Sequence, residues 1–275
     1  MAKKIISIIS VLGLLITAGP VLAVPTFGTQ GILTLPSVAG NSPVLMPLGE
    51  KIDPGTGKLV EGYAIIHYKD KAAKPAGKPG GGATQCYGFL AKGAKWKSVE
   101  PWVVNPSNTR GLDTVSVLGV LSTGVLKWED AADGTVGNNA LVNILGDGSS
   151  TLNTLLADTV SPDNQNEVYF ANVSTQNAIA VTIVWGIFGG PTFQRELVEW
   201  DQVYDDVDYD WSLTEEAGKM DFDNIATHEL GHSVGMADIY NSECGEVTMY
   251  GYANFGETKK RILEPADITG VNTLY

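Results

Sequence analysis

The most constraining feature of this chain is a His-Glu-Leu-Gly-His run placed in a predicted helix. Four apolar residues recur every four positions and predict one buried helical face: Phe222, Ala226, Leu230 and Val234. Either Asp221 or Asp223 can cap the start of this helix, and Gly235 can end it. His228 and His232 then lie one turn apart, with about 5–6 Å between their Cβ atoms. Two imidazoles at that spacing can bind one metal ion.

Glu229 lies between the two histidines, where a carboxylate can take a proton from a metal-bound water. A catalytic zinc ion takes three protein ligands and keeps one position open. We predict Asp238 as the third ligand. Because Asp238 would drift off the helical face, the chain must break at Gly235 and turn back toward the metal. Glu257 is the alternative third ligand, because some zinc proteases recruit a glutamate from a later helix. No supporting motif surrounds Glu257.

Residues 228–238 resemble the zinc-binding segment of the metzincins, and their sequence is most similar to that of the matrixins. Asp238 stands where most metzincins have a third histidine, and in this the segment is similar to snapalysin. Residues 247–250 resemble the matrixin Met-turn, whose methionine, here Met249, lies beneath the zinc ligands. Residues 263–275 resemble the C-terminal matrixin helix.

The resemblance implies an α+β fold with a mixed, mostly parallel twisted sheet. A long helix precedes that sheet, and the active-site helix, the Met-turn and a C-terminal helix follow it. The resemblance also implies one catalytic Zn2+ held by His228, His232 and Asp238. Gly235 and Met249 would support the site structurally.

The function that this resemblance implies is zinc-dependent hydrolysis of peptide bonds inside protein or peptide substrates. Glu229 would act as the general base on a zinc-activated water. The substrate would lie extended along an exposed sheet edge, which we expect near residues 197–204. The alternative is a catalytically silent cell-envelope or adhesion protein that keeps the metzincin fold.

The chain divides into four parts by composition. Residues 1–23 have the basic start, apolar run and small-residue end of a secretory signal peptide, which predicts a secreted or cell-envelope protein. Residues 24–70 are predicted to be an accessory segment or pro-segment. Residues 71–83 are rich in Lys, Pro and Gly and read as a linker. Residues 84–275 are the predicted catalytic domain.

Several elements of that domain are predicted from local patterns. Residues 100–105 suit a short strand, and Asp113 can cap the following helix. The apolar residues of that helix share one face: Leu118, Leu121, Val125 and Trp128. Apolar, β-branched runs predict three further strands: residues 167–172, 178–188 and 197–204.

The two cysteines and the remaining histidine have separate interpretations. Cys86 and Cys244 can form a disulfide, which export would allow. Cys86 could instead block the zinc as a thiolate, but the inhibitory motif of matrixin pro-segments is not matched around it. His67 lies in a strand-like run and is predicted to be an ordinary structural histidine rather than a ligand.

The formal net charge is −13, which disfavours nucleic acid as a partner because a polyanion repels the phosphate backbone. No later segment reaches a membrane-spanning length, so we expect no stable membrane insertion. We also expect the protein to be a monomer. Residues 199–216 are rich in carboxylates. An EF-hand register starting at Asp206 fails at Trp211 and Ala217, so no motif supports calcium and a solvated acidic loop is expected.

Overall fold

The computed structural model describes residues 30–36, 44–69, 85–138 and 142–275. The predicted signal peptide and the predicted linker at 71–83 lie outside these ranges. Among the helices of the described ranges, none combines the length and the apolar character that crossing a membrane requires.

Three α-helices lie in the described ranges: α1 Thr114–Ala131, α2 Phe222–Ser233 and α3 Pro265–Leu274. Each begins at a capped end. The Asp113 side chain accepts a hydrogen bond from the Ser116 amide at the start of α1. Asp221, one of the two predicted candidates, caps α2, and Glu264 and Asp267 form a capping box at α3. The sequence patterns predicted α1 and α2, whereas α3 was implied by the family resemblance.

The described strands, in chain order, are β1 Ile32–Leu33, β2 Leu45–Ile52, β3 Leu59–Lys69, β4 Trp102–Asn105, β5 Gly148–Ser150, β6 Asn166–Val173, β7 Ala178–Ile187, β8 Glu196–Asp205, β9 Trp211–Ser212, β10 Met220–Asp221 and β11 Tyr252–Ala253. Nine of these described strands form one sheet in the order β11-β3-β7-β8-β6-β4-β5, with β1 beside β6 and β2 beside β3. Five of its pairings are parallel and three are antiparallel. This is the predicted mixed, mostly parallel sheet of an α+β metzincin-like fold.

The sheet separates two apolar layers. Trp200 and Tyr204 of β8 face α1 and α2 and belong to the larger core. Val203, which points to the opposite face, belongs to a second core. The two helices pack closely, because a Cβ added to Gly124 of α1 would lie 2.5 Å from Leu230 of α2. The sheet and α1 together fix the position of α2.

Part of the predicted N-terminal segment, residues 24–70, lies in the same sheet as the predicted catalytic domain. Strand β3 pairs antiparallel with β7 from Glu61 to Tyr68, within the main sheet. Its side chains enter both apolar layers. The segment completes a core that the rest of the chain builds.

Two expectations for residues 197–216 are wrong. Strand β8 has β7 on one side and β6 on the other, so it is not a sheet edge. The acidic residues of this region are not uniformly solvated, because four of them have at most 1% of their surface exposed: Glu199, Asp201, Asp205 and Asp206.

Candidate metal centre

The two histidines of α2 are buried and oriented by backbone carbonyl groups. His228 donates from Nδ1 to the Thr248 carbonyl oxygen at 2.7 Å. His232 donates from Nδ1 to the Met236 carbonyl oxygen at 3.0 Å. A carbonyl can only accept, so each ring carries its proton on Nδ1 and presents a free lone pair on Nε2. This is the second interaction that metal-binding histidines commonly make.

The chain turns back after α2 and brings Asp238 to the same point. Gly235 has φ +101°, a backbone conformation that L side chains rarely adopt. The Oδ1 atom of Asp238 lies 3.1 Å from His228 Nε2 and 3.4 Å from His232 Nε2. Tyr240 donates its hydroxyl to the other oxygen, Oδ2, at 2.7 Å. The carboxylate is therefore held with one oxygen directed at the two imidazoles.

The donor atoms of these three residues fit a zinc ion. His228 Nε2, His232 Nε2 and Asp238 Oδ1 are buried and have no hydrogen-bond partner. Leaving buried polar atoms without partners is costly. Ligand atoms about 2.0–2.1 Å from a tetrahedral zinc ion lie about 3.3 Å from one another, which matches the observed nitrogen–oxygen distances. Two nitrogens and one oxygen are also a donor set that zinc accepts.

The electrostatics of the three groups are set by burial and by their mutual approach. Burial and the nearby Lys260 lower the pKa of His228 to about 3. Burial also disfavours charge on His232, but the adjacent Asp238 carboxylate outweighs this effect and raises its pKa. Burial would raise the pKa of Asp238, but the neighbouring His232 and His228 imidazoles outweigh burial and hold this pKa well below its usual range. Asp238 is therefore an anionic donor.

Glu229 lies next to this group with both carboxylate oxygens held. Thr182 of β7 donates its hydroxyl to Oε2 at 2.5 Å. His67 of β3 lies 2.9 Å from Oε1 through its Nδ1. Burial raises the pKa of Glu229 to about 7, although His232, Thr182 and Lys260 act in the opposite direction. A carboxylate with a pKa near neutrality can both take and return a proton.

His67 is a neighbour of the catalytic motif, and the prediction of an ordinary structural role is incomplete. Its ring centroid lies 4.0 Å from that of His228. Lys260 approaches His67 Nε2 through Nζ at 3.1 Å, so a Lys260–His67–Glu229 hydrogen-bond chain forms if the lysine donates. Burial, His228 and Lys260 hold the pKa of His67 well below its usual range. The one signal in the sequence was that His67 is the single histidine of the chain outside the His228–His232 motif.

The Met-turn packs beneath α2. Met249 is fully buried, and a Cβ added to Gly231 would lie 2.2 Å from its sulfur atom. Asp267 of α3 accepts hydrogen bonds from the Thr248 amide at 2.8 Å and the Met249 amide at 3.2 Å. Asp267 therefore holds the turn whose Thr248 carbonyl orients His228. The sequence indicated the helix but not this role.

The remaining predicted site residues are also accounted for. Glu257 belongs to no group of three potential metal ligands among the described residues, whereas Asp238 does. Cys86 and Cys244 form a disulfide with their Cα atoms 5.4 Å apart. This bond ties the start of the predicted catalytic domain to the loop before the Met-turn. Tyr240 follows Asp238 by two residues, and no motif in the sequence indicated its contact with that carboxylate.

The centre is closed in this structure. His228, Glu229 and His232 have no exposed surface, and Asp238 is 8% exposed. Strand β3 contributes to this closure, because His67 lies against both Glu229 and His228. A peptide can reach the centre only if part of the covering structure moves.

One known family matches the part of the chain that holds this site. Residues 164–275 match the family model described as Matrixin. No curated protein matches the chain. The match covers 112 of the 275 residues, and over these residues the chain is similar to the matrixins, a family of zinc-dependent peptidases.

Proposed function

We propose that this protein is a secreted zinc endopeptidase that uses His228, His232 and Asp238 as zinc ligands and Glu229 as general base. The observation that carries the proposal is the set of three buried, unpartnered donor atoms at zinc-like spacing. The adjacent Glu229 carboxylate, with a pKa near 7, supports the assignment of Glu229 as general base.

The roles of the residues follow from their contacts. When bound, zinc supplies a Lewis acid that polarises a peptide carbonyl and makes water a better nucleophile near neutral pH. Glu229 takes the proton of the attacking water and then delivers it to the leaving amine. Thr182 holds the Glu229 carboxylate in place, and Tyr240 holds Asp238. His67 is a further contact of Glu229 only in the chain that keeps residues 24–83. The Nδ1 hydrogen bonds of the histidines keep their Nε2 atoms free.

The deciding variant is Glu229→Gln, which keeps the shape of the side chain and removes its basicity. We expect zinc content to remain near one ion per chain while hydrolysis of unfolded casein falls by about 10²–10⁴-fold, the usual contribution of a general base. Glu246→Gln is the matched control, because the Glu246 side chain is 82% exposed and contacts only the surface ammonium group of Lys259, at 3.7 Å, among the ion pairs of the described residues. Equal activity of Glu229→Gln and the parent would refute the assignment of the base.

The catalytically silent alternative has one observation in its favour, which is that His228, Glu229 and His232 have no exposed surface. A mature, zinc-loaded chain that cleaves none of a varied set of unfolded proteins and peptides would establish it. Cleavage that is lost in Glu229→Gln would exclude it.

We also propose that the N-terminal segment restrains the enzyme. Strand β3 lies along β7, the strand that supplies Thr182 to Glu229, and makes the backbone pairing there that an added peptide strand would make. Mass spectrometry of the exported protein should find a start at Val24 on an inactive species and a later start, near residue 84, on the active one. Full activity of a chain that starts at Val24 would contradict the pro-segment role. Export itself is tested by the loss of residues 1–23.

A further inference from the structure

Strand β3 directs one set of its side chains toward the metal centre. Ile65 belongs to the core beside α2, whereas Ala64 and Ile66 belong to the opposite core. Side chains alternate along a strand, so His67 lies on the same face as Ile65. The strand runs antiparallel to β7 and parallel to β11. A peptide that replaced β3 between these two strands would direct alternate side chains toward the metal centre in the same way.

The contacts of His67 show what surrounds a side chain at that point. Its Nδ1, the ring nitrogen nearer the backbone, lies 2.9 Å from Glu229 Oε1, and its ring centroid lies 4.0 Å from that of His228. Nε2, at the tip of the ring, lies 3.1 Å from Lys260 Nζ. Because Glu229 also has to reach the cleaved bond, a substrate residue in the place of His67 is next to that bond. The tip of its side chain faces a lysine.

Lys260 is a fully buried lysine that is held in position from two sides. Its Nζ donates to the Tyr250 carbonyl oxygen. Its amide donates to Asn224 Oδ1 of α2 at 2.7 Å. In the described part of the chain, no ion pair joins Lys260 to a carboxylate. The ammonium group is therefore fixed beside the metal centre without an anionic partner in contact.

The charge of this ammonium group persists at neutral pH. Burial lowers the pKa of Lys260 to about 8, although the carboxylates of Glu257, Asp238 and Glu229 act in the opposite direction. A buried cation that forms no ion pair is unfavourable. A carboxylate that comes within hydrogen-bond distance of it gains a charge-assisted hydrogen bond, which is stronger than a bond between neutral groups.

We infer that Lys260 makes the protein selective for glutamate at the substrate residue that takes the place of His67, next to the cleaved bond. The inference rests on the proposed peptidase function and deepens it. A glutamate side chain extends about as far as the imidazole ring, so its carboxylate reaches the Lys260 ammonium group. An aspartate side chain is one methylene shorter, which leaves its carboxylate farther from Lys260 and nearer to Glu229. Glutamine has the length of glutamate without its charge.

Peptide cleavage by the active, zinc-loaded form of the exported protein tests this selectivity. Mass spectrometry of casein digests should show glutamate enriched at one of the two residues that flank the cleaved bonds. In matched peptides, glutamate at that residue should give a kcat/KM about 10–100-fold above that of glutamine, the usual contribution of a hydrogen bond to a charged group. Lys260→Met should remove this difference and still cleave the glutamine peptide. Lys219→Met should keep the difference, because Lys219 pairs with Glu216 at the surface at 2.7 Å.

Equal kcat/KM values for the glutamate and glutamine peptides overturn the inference, and so does a glutamate preference that survives in Lys260→Met. A parent protein that cleaves none of the peptides, whatever the residue, contradicts the proposed peptidase function instead. The role of Lys260 is then decided by a measurement that needs neither catalysis nor zinc.

That measurement uses the stability of the metal-free full chain carrying Glu229→Gln. In this chain His67→Glu places a glutamate side chain on β3 itself, and His67→Gln is its neutral match. Lys260→Met should shift the unfolding equilibrium in urea titrations about 10–100-fold further toward the unfolded state with His67→Glu than with His67→Gln. Equal shifts in the two chains would show that Lys260 does not accept a carboxylate at this position, and the inference would be wrong.

Discussion

Removing the Tyr240 hydroxyl should weaken zinc binding without disturbing the fold. In Tyr240→Phe, Asp238 Oδ2 loses a 2.7 Å hydrogen bond, while Oδ1 keeps its place beside the two imidazoles. The ring itself stays, because it lies on the backbone of Gly251, where an added Cβ would come within 2.3 Å of it. It also packs edge-on against Tyr252 at 5.1 Å. The change is therefore confined to the orientation of one carboxylate.

The magnitude follows from the kind of bond that is lost. Loss of a partner that orients a metal ligand costs about 10–100-fold in metal affinity, which is about 1.4–2.7 kcal/mol. A hydrogen bond to a charged group contributes about 1.5–3 kcal/mol, which is the same range. Asp238→Ala removes the ligand itself and should weaken binding further than Tyr240→Phe does.

Competition with a chromophoric zinc chelator at fixed pH measures both variants. Tyr63→Phe is the matched control, because Tyr63 also donates its hydroxyl to a carboxylate, that of Glu61, and neither residue belongs to the metal centre. It should bind zinc as the parent does. Zinc affinity of Tyr240→Phe within a factor of about two of the parent would refute the orienting role. Retained tight binding in Asp238→Ala would show that the third ligand is another residue.

Three further outcomes are expected. Gly231→Ala places a Cβ 2.2 Å from the Met-turn sulfur and should lower the unfolding free energy by about 1–3 kcal/mol in denaturant titrations. Gly119→Ala, in open space on α1, should instead raise it by up to about 1 kcal/mol, and equal effects of the two substitutions would contradict the packing argument. Replacing Cys86 and Cys244 by serine should cost about 2–5 kcal/mol, since the bond closes a separation of 158 residues, and an unchanged thermal midpoint would show that the disulfide does not stabilise the protein. Burial beside Asp201 and Asp158 raises the pKa of Glu199 from 4.5 to about 10 on folding, so the folded state binds more protons and the free energy of unfolding should fall as pH rises between these values. Glu199→Gln should reduce this pH dependence in denaturant titrations, and an identical pH dependence in the variant would contradict the raised pKa.

The sequence alone determined the elements whose causes are local. Helix α2 follows from a four-residue apolar repeat, from the Asp221 cap and from Gly235, all of which lie within fifteen residues. The same local information brought the two histidines onto one helical stripe and predicted the return of Asp238. The central strands and α1 were predicted for the same reason, because period and capping are properties of neighbouring residues.

Only the tertiary structure decided which distant residues surround this motif. His67 meets Glu229 across 162 positions of sequence, and Lys260 meets His67 across 193. Those contacts exist because β3 pairs with β7, and strand pairing depends on which edge is free rather than on the pattern within one strand. The burial of Glu199 and Asp201 has the same origin. An acidic run predicts a solvated loop, and only the tertiary structure shows that a distant loop covers part of it.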